Sequence, residues 1–191
     1  MHSSIFQIVQ KLVEATKRPY LVGIDGQSGA GKSTLCARLH RELPDVIVIH
    51  NDDFYRVMDD AIRESFHAEQ GYDLYFDWQR LEQQVLLPLN NRDVARYHRY
   101  DWVKQELTET IEVDAANKIV IVEGVGSTRP ELRKYYDLRI WVDTSEAERL
   151  RRQIARGENP NEWIQRWAAA ENYYVENFGP SGSADVLIAG E

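Results

Sequence analysis

The 191-residue chain contains a single cysteine, Cys36. An intrachain disulfide is therefore excluded, and so is a zinc site built from several cysteines. Cys36 reads as a small packed residue. No apolar run approaches the ~20 residues that a bilayer-spanning helix needs, and the first residues lack the apolar core of a signal peptide. The expectation is a reduced, cytoplasmic protein. Positive charge is scarce as well: 23 Lys and Arg stand against 31 Asp and Glu, a net charge of −8. That balance argues against a broad face for a nucleic acid polymer, although a small phosphate-bearing molecule can still be held locally. Internal repeats, low-complexity tracts and interdomain linkers are missing too. With 43% hydrophobic and 28% charged residues, the composition fits one globular domain over residues 1–191, large enough for a real core.

What the chain does have is Gly23-Ile24-Asp25-Gly26-Gln27-Ser28-Gly29-Ala30-Gly31-Lys32-Ser33-Thr34. Gly26, Gly31, Lys32 and Ser33 fill the pattern G-x-x-x-x-G-K-[ST], the P-loop. The spacing serves a physical purpose. Glycines let the backbone curl so that the N–H groups over Gly26 to Thr34, including those of Ser28, Gly29 and Ala30, form a concave cradle for phosphate oxygens. The Lys32 ammonium reaches the β- and γ-phosphates, and the Ser33 hydroxyl suits the Mg²⁺ that bridges them. A helix starting near Lys32 adds the positive end of its dipole. The context agrees: Pro19–Ile24 reads as a buried parallel strand, and Leu35, Leu39 and Leu43 recur at helical spacing over 33–43.

Other segments follow the same alternation. Residues 4–17 put Ile5, Ile8, Val9, Leu12 and Val13 on one helical face, with Ser4 and Gln7 spaced as a capping box. Val46–Ile49, Lys118–Glu123, Leu138–Asp143 and Ala184–Ala189 read as further buried strands. Residues 57–78 have no clean period and suggest a loop or short helices over a site. A helix over 80–87 ends at Pro88. Ala95–Trp102 reads either as a hairpin that stacks on a ring-bearing substrate or as an amphipathic edge strand. Strands alternating with helices predict an α/β fold, three layers around a mostly parallel five-stranded sheet.

Phosphoryl transfer to a hydroxyl needs a base or orienting carboxylate, a metal on the phosphates, and positive charge around the group in flight. The strand over 46–49 delivers Asp52 and Asp53 to its C-terminal edge, where ligands collect in open α/β sheets. Neighbours in an extended segment point to opposite sides, so one of the pair faces the phosphates, and Asp52 is the candidate base. Glu123, ending an apolar strand, is placed to hold Mg²⁺ through water; a buried salt bridge to Lys32 or an arginine is its other reading. Arg149, Arg151, Arg152 and Arg156 read as a lid over about 149–166, Arg152 acting on the γ-phosphoryl and Arg149 and Arg156 on the nucleotide, or else as a solvated helix face. No N-K-x-D guanine motif and no L-S-G-G-Q-type signature occur, which argues against an ordinary GTPase and a transporter ATPase.

Assembled, these residues resemble the uridine kinase-like family of P-loop kinases, which also embraces nicotinamide riboside kinases, P-loop pantothenate kinases and phosphoribulokinases. The resemblance runs from Tyr20 to about Phe178. Asn51-Asp52-Asp53-Phe54-Tyr55-Arg56 is similar to the family's Q-D-S-F-Y-x segment, which implies that Asp52 is the base and that Tyr55 lies by the substrate. Val122-Glu123-Gly124 resembles its V-x-E-G strand end, and Glu148–Arg152 the start of its arginine-bearing lid. The family's F-D-H-P-x-A-F-D stretch is matched only by Tyr72-Asp73 and Phe76-Asp77-Trp78, without His-Pro, so either Asp73 or Asp77 takes the role of binding sugar hydroxyls. Tyr97 and His98 match its Tyr…His hairpin loosely. The lid is short, with Gly157 directly after Arg156. The resemblance implies an ATP- and Mg²⁺-dependent kinase acting on a small-molecule hydroxyl, the 5′-hydroxyl of a uridine- or cytidine-like nucleoside first, with nicotinamide riboside, pantothenate or a sugar as other acceptors. A regulator that holds ATP without turnover is the rival of another class; Asp52, Glu123 and the arginines together argue against it.

Overall fold

Alternate side chains along one strand pack into two different cores. The computed structural model describes residues 3–157 and 159–190. In chain order it forms α1 (Ile5–Glu14), β1 (Tyr20–Asp25), α2 (Lys32–Glu42), β2 (Val46–His50), α3 (Asp60–Glu64), α4 (Ala68–Leu74), α5 (Trp78–Leu81), a π-helical turn (Glu82–Leu86), α6 (Leu87–Asn90), β3 (Ala95–Asp101), β4 (Glu106–Val113), β5 (Ile119–Glu123), β6 (Leu138–Asp143), α7 (Glu146–Arg156), α8 (Asn161–Phe178) and β7 (Val186–Ala189). Val22 and Ile24 of β1 meet Ile8 and Leu12 of α1 and Leu35, Cys36 and Leu39 of α2 on one face of the sheet. On the other face Leu21, Val120 and Val122 meet Leu81, Val85, Leu86 and Leu89. These are the three layers expected for an α/β chain whose central strands are apolar on both faces. Burial pushes the Cys36 thiol up, which leaves it an inert core residue.

The main sheet has the order β2-β5-β1-β6-β7, and every pairing in it is parallel. β1 and β5 lie side by side, Ile24 opposite Glu123, so the P-loop and the Glu123 carboxylate leave the sheet at the same edge. β2 pairs with the other side of β5, His50 opposite Glu123, and brings Asn51–Phe54, a single 3-10 turn, to that edge.

The structure changes some local readings and decides between the alternatives of others. Pro88 does not stop the helix; the chain stays helical to Asn90. The preceding π-helical turn removes the tight i−4 carbonyl that a proline ring meets in an α-helix. Residues 95–101 are a true hairpin with β4, a strand whose half-polar sequence carried little apolar signal. Residues 57–78 hold two short helices, each capped by its preceding residue, Asp59 and His67. The 18-residue α8 is the largest addition. Its aromatic and alanine stripe packs against α4, Ala170 touching the cluster of Tyr55, Tyr75 and Tyr100. The capping box of α1 forms as its sequence suggests. No helix among the described residues is long and apolar enough to cross a membrane.

Candidate active site

α2 begins directly at Lys32, with Gly31 at its N-cap in the left-handed region and no side chain capping it. The first-turn N–H groups of Lys32, Ser33 and Thr34 therefore open toward the end of the sheet, where an anion is favoured. Gly29, at φ 78°, has no room for a side chain: a Cβ would sit 2.6 Å from the Arg149 carbonyl oxygen. Besides that of Gly26, two P-loop amides are already used by the protein. Ala30 N–H donates to Gln27 O at 3.0 Å, and Ser28 N–H donates to a Glu171 carboxylate oxygen at 2.9 Å. Lys32 is buried, its ammonium 3.3 Å from Gln27 O.

Behind the loop, the buried Asp25 carboxylate accepts from Gly26 N–H (2.7 Å), Gly126 N–H (2.9 Å), Thr128 N–H (2.9 Å), the Thr128 hydroxyl (2.8 Å) and the Tyr174 hydroxyl (2.9 Å). One side chain thus ties β1, the loop after β5 and α8 together under the phosphate cradle.

Ser33 Oγ donates to Glu123 Oε1 at 3.2 Å, and His50 Nδ1 lies 2.7 Å from the same oxygen. Burial alone pushes Glu123 up, but the His50 hydrogen bond, Lys32 and Ser33 outweigh it and hold its carboxyl below the usual range. The same hydrogen bond raises His50. Among the described residues no three His, Cys, Asp or Glu side chains gather into a metal-binding cluster. A hydroxyl and a carboxylate beside an anion cradle is instead the donor set for Mg²⁺, which takes one or two protein oxygens and completes its shell with phosphate and water.

Asp52 opens into a cavity of about 470 Å³. Its side chain is exposed on the cavity side, while protein atoms pack closely around the carboxyl. Burial first, and Glu123 second, raise its carboxyl to about 6 against the opposing pull of Lys32 and His50. A carboxyl tuned toward neutrality is suited to taking a hydroxyl proton. Asp53 turns the other way, accepting from the Tyr97 hydroxyl at 3.0 Å and pairing with Arg99 at 3.1 Å.

The cavity runs from Ser28 and Asp52 to a wall of rings, Tyr72, Trp78, Trp102 and Trp167 among them. Several residues expected at substrate stand elsewhere. Tyr97 lies in the core, its ring 4.9 Å from Phe54, because the β3 residues alternate in and out. His98, next along, is turned outward against Thr110 at 3.2 Å. Tyr55 is buried under Trp102, which stacks on it at 4.5 Å and lines the cavity in its place. Asp73 pairs with Arg129 at 3.2 Å. Asp77 caps α5 by accepting from Arg80 N–H at 3.2 Å. Both acids are spent on structure.

On α7, Arg149 is buried and donates to Thr144 O at 3.2 Å. Arg152 pairs with Glu148 at 2.7 Å and reaches Gly29 O at 3.3 Å. Arg156 lines the cavity. The arginines thus border the P-loop without all pointing into it. Trp167, Arg129 and Glu171 are lining residues that sequence reading passed over, and Trp102 is the member of the Ala95–Trp102 segment that reaches the cavity. Spacing held a signal for α8: Ile164, Trp167, Glu171 and Tyr174 recur every three or four residues.

Comparison with known proteins agrees with this geometry. The model of the "Phosphoribulokinase / Uridine kinase family" matches residues 21–188. A uridine kinase of Alkaliphilus metalliredigens is 31% identical over 143 residues, 73% of this chain and 68% of that one. A uridine kinase of Clostridium perfringens is 29% identical over 152 residues, 75% and 70% of the two chains. In fold, the chain is similar to the solved structure of a possible uridine kinase from Bacillus stearothermophilus, with a TM-score of 0.77, 24% identity and 96% of both chains covered. The family match takes in the P-loop, Asp52, Glu123 and all of α8, so the chain belongs to the phosphoribulokinase / uridine kinase family and is a kinase that transfers phosphate to a hydroxyl group.

Proposed function

We propose that this kinase uses ATP with Mg²⁺ and phosphorylates the hydroxyl of a small, uncharged, ring-bearing acceptor, a ribonucleoside at its 5′-hydroxyl first of all. The observation that carries this reading is the single cavity that joins Asp52 and the P-loop at one end to Trp78, Trp102, Trp167 and Tyr72 at the other. Aromatic walls favour a flat ring. The relatives named as uridine kinases support the same choice.

An acidic acceptor wants a fixed, unspent basic partner. Arg96 is paired with Glu112 at 2.9 Å and Arg99 with Asp53 at 3.1 Å. Arg129 borders the cavity but is held by Glu131 at 2.9 Å and Asp73 at 3.2 Å, over the rings of Tyr72 and Trp78. With Arg156, the other arginine on the cavity, assigned to the phosphoryl group in this reading, pantothenate and other acids are weaker candidates. A second cavity of about 330 Å³, bordered by Gly31, Thr34, Arg38 and Ile188, lies on the far side of the loop and suits the base of the donor nucleotide.

In this reading Asp52 takes the proton of the acceptor hydroxyl as its oxygen bonds to the γ-phosphorus and the bond to the β–γ bridging oxygen breaks, releasing ADP. Lys32, the first-turn amides of α2, Arg152 and Arg156 offset charge on the group in flight. Ser33 and Glu123 hold the Mg²⁺, which supplies charge neutralisation between the phosphates.

The test is ADP release from Mg–ATP across uridine, cytidine, other nucleosides, nicotinamide riboside, pantothenate and simple sugars, with Asp52→Asn alongside. Turnover with a nucleoside, lost by about 10²–10⁴-fold in the variant, is expected. Turnover confined to pantothenate or a sugar overturns the acceptor, and an undiminished variant overturns the base.

A further inference from the structure

Glu171 is a buried carboxylate at the junction of both cavity ends. Its oxygens accept from the Ser28 N–H at 2.9 Å and from the Ser28 hydroxyl. One residue further along α8, Asn172 Oδ1 accepts from Gln27 Nε2 at 2.8 Å. On its other side Ser28 is held by α7, where Gln153 Nε2 donates to Ser28 O at 3.2 Å. The helix that grips the loop also walls the acceptor end: Trp167, Ala170, Glu171 and Tyr174 share one face and line the cavity.

An amide donor facing into the cradle and left without a partner costs free energy and lets the loop rotate. Glu171 removes that freedom at Ser28. The neighbouring amides of Lys32, Ser33 and Thr34, at the open N-terminus of α2, remain for phosphate. Burial pushes the Glu171 carboxyl up, with the Ser28 contacts, Lys32 and Arg149 pulling the other way. A neutral side chain of the same length, with one atom to accept and one to donate, has the geometry to hold both Ser28 contacts.

The geometry points to Glu171 as a positioning residue of the phosphate-binding loop: through Ser28 it fixes the loop for the donor triphosphate, from the helix face that also walls the acceptor. This rests on the reading of ATP as donor. Glutamine in its place keeps both contacts, its carbonyl accepting from the Ser28 amide and its NH₂ donating to the Ser28 hydroxyl. Alanine keeps neither.

The experiment measures Mg–ATP binding by calorimetry, with thermal melting of each variant, for the unaltered chain, Glu171→Gln, Glu171→Ala, Ser28→Ala, Ser28→Ala/Glu171→Ala and Lys32→Ala. Glu171→Ala should weaken ATP binding by about tenfold, with both Ser28 hydrogen bonds gone. Glu171→Gln should stay within about threefold, and the double variant should bind no worse than Glu171→Ala, since once Glu171 is gone the Ser28 hydroxyl has no carboxylate left to lose. ATP affinity of Glu171→Ala equal to or above that of the unaltered chain, no rescue by Gln, or additive losses in the double variant each overturn the assignment. Should Glu171→Ala fail to fold, Glu171→Met decides, since its side chain fills the same space and cannot accept from the Ser28 amide or hydroxyl: weaker ATP binding supports the assignment and unchanged binding overturns it. Lys32→Ala separates the two readings. If it too binds ATP normally, the donor reading fails; if it alone loses ATP, only the role of Glu171 fails.

Discussion

The Tyr97 hydroxyl donates to Asp53 at 3.0 Å, and this contact decides which of two adjacent carboxylates is available for chemistry. Asp53 is anchored to β3 and faces the core side, which leaves Asp52 to the cavity. Asp52→Asn should therefore abolish most turnover, while Asp53→Asn should cost about 1–3 kcal/mol of stability by weakening its buried contacts with Tyr97 and Arg99. Steady-state kinetics and urea unfolding of the two variants separate the roles. Equal kinetic losses would remove the distinction.

The raised carboxyl of Asp52 adds a pH signature. Its folded-state value, about 6, lies above the ordinary 3.8. A base must be ionised, so kcat/KM should fall as pH drops through about 6 and level off above it. The stability effect has the opposite sign. The folded state binds this proton more tightly than the unfolded one, so ionised Asp52 costs stability as pH rises from 3.8 to about 6. At pH 7.5 Asp52→Asn should then melt no lower than the unaltered chain while turning over far more slowly. A lowered melting temperature would show that Asp52 supports the fold.

Under the proposed function Ser33 and Glu123, 3.2 Å apart, would hold the metal. Removing either oxygen should raise the Mg²⁺ concentration needed for half-maximal turnover by about 10–100-fold. Glu123→Gln and Ser33→Ala, titrated with Mg²⁺ at fixed ATP, read this directly. An unchanged Mg²⁺ profile in both would move the metal to other ligands.

The parts of the site that depend on short chain segments were legible in the sequence. The P-loop carries its own strand, turn and helix signals within Tyr20–Glu42, and Asp52 and Glu123 follow apolar strands directly. The acceptor wall was not legible in the same way. Tyr97 and His98 differ by one step in β3, and a one-residue change in alternation exchanges core for surface. A bulge between His98 and Tyr100 shifts that alternation again, and it is Trp102 that reaches the cavity. Asp73 and Asp77 looked like ligand residues because their types fit the role. The partner of Asp73, Arg129, is 56 residues away and no spacing brings the two together, whereas the Arg80 amide lies three residues past Asp77, an N-cap spacing that the sequence did carry. Glu171 lies 143 residues from Ser28, so only the folded chain joins them.

Trp102 is half-exposed and stacked on the buried Tyr55 ring. Its outer face borders the cavity, so it offers a platform to a ring-bearing acceptor. Trp102→Ala should raise the acceptor KM by about 3–10-fold, the value of one aromatic contact, and leave the ATP KM unchanged. Trp102→Phe should recover part of the loss. A change in the ATP constant alone would show that the hairpin acts on the donor side.

Asp25 and Tyr174 bind the fold beneath the cradle, and their loss should look different from that of Glu171. Tyr174→Phe removes one of the five donors on Asp25 and leaves the Ser28 contact of Glu171 in place. The expected cost is about 1–2 kcal/mol in urea unfolding, with ATP affinity little changed. Asp25→Asn is harsher. One carboxylate oxygen becomes an NH₂ group facing backbone N–H donors, whether toward Gly26 and Gly126 or toward Thr128. A buried donor facing a donor leaves both unsatisfied, so about 2–4 kcal/mol should be lost, together with ATP affinity, because Gly26 opens the P-loop. If Tyr174→Phe weakened ATP binding as much as Glu171→Ala, the grip of α8 on the loop would lie in the helix as a whole and not at Ser28.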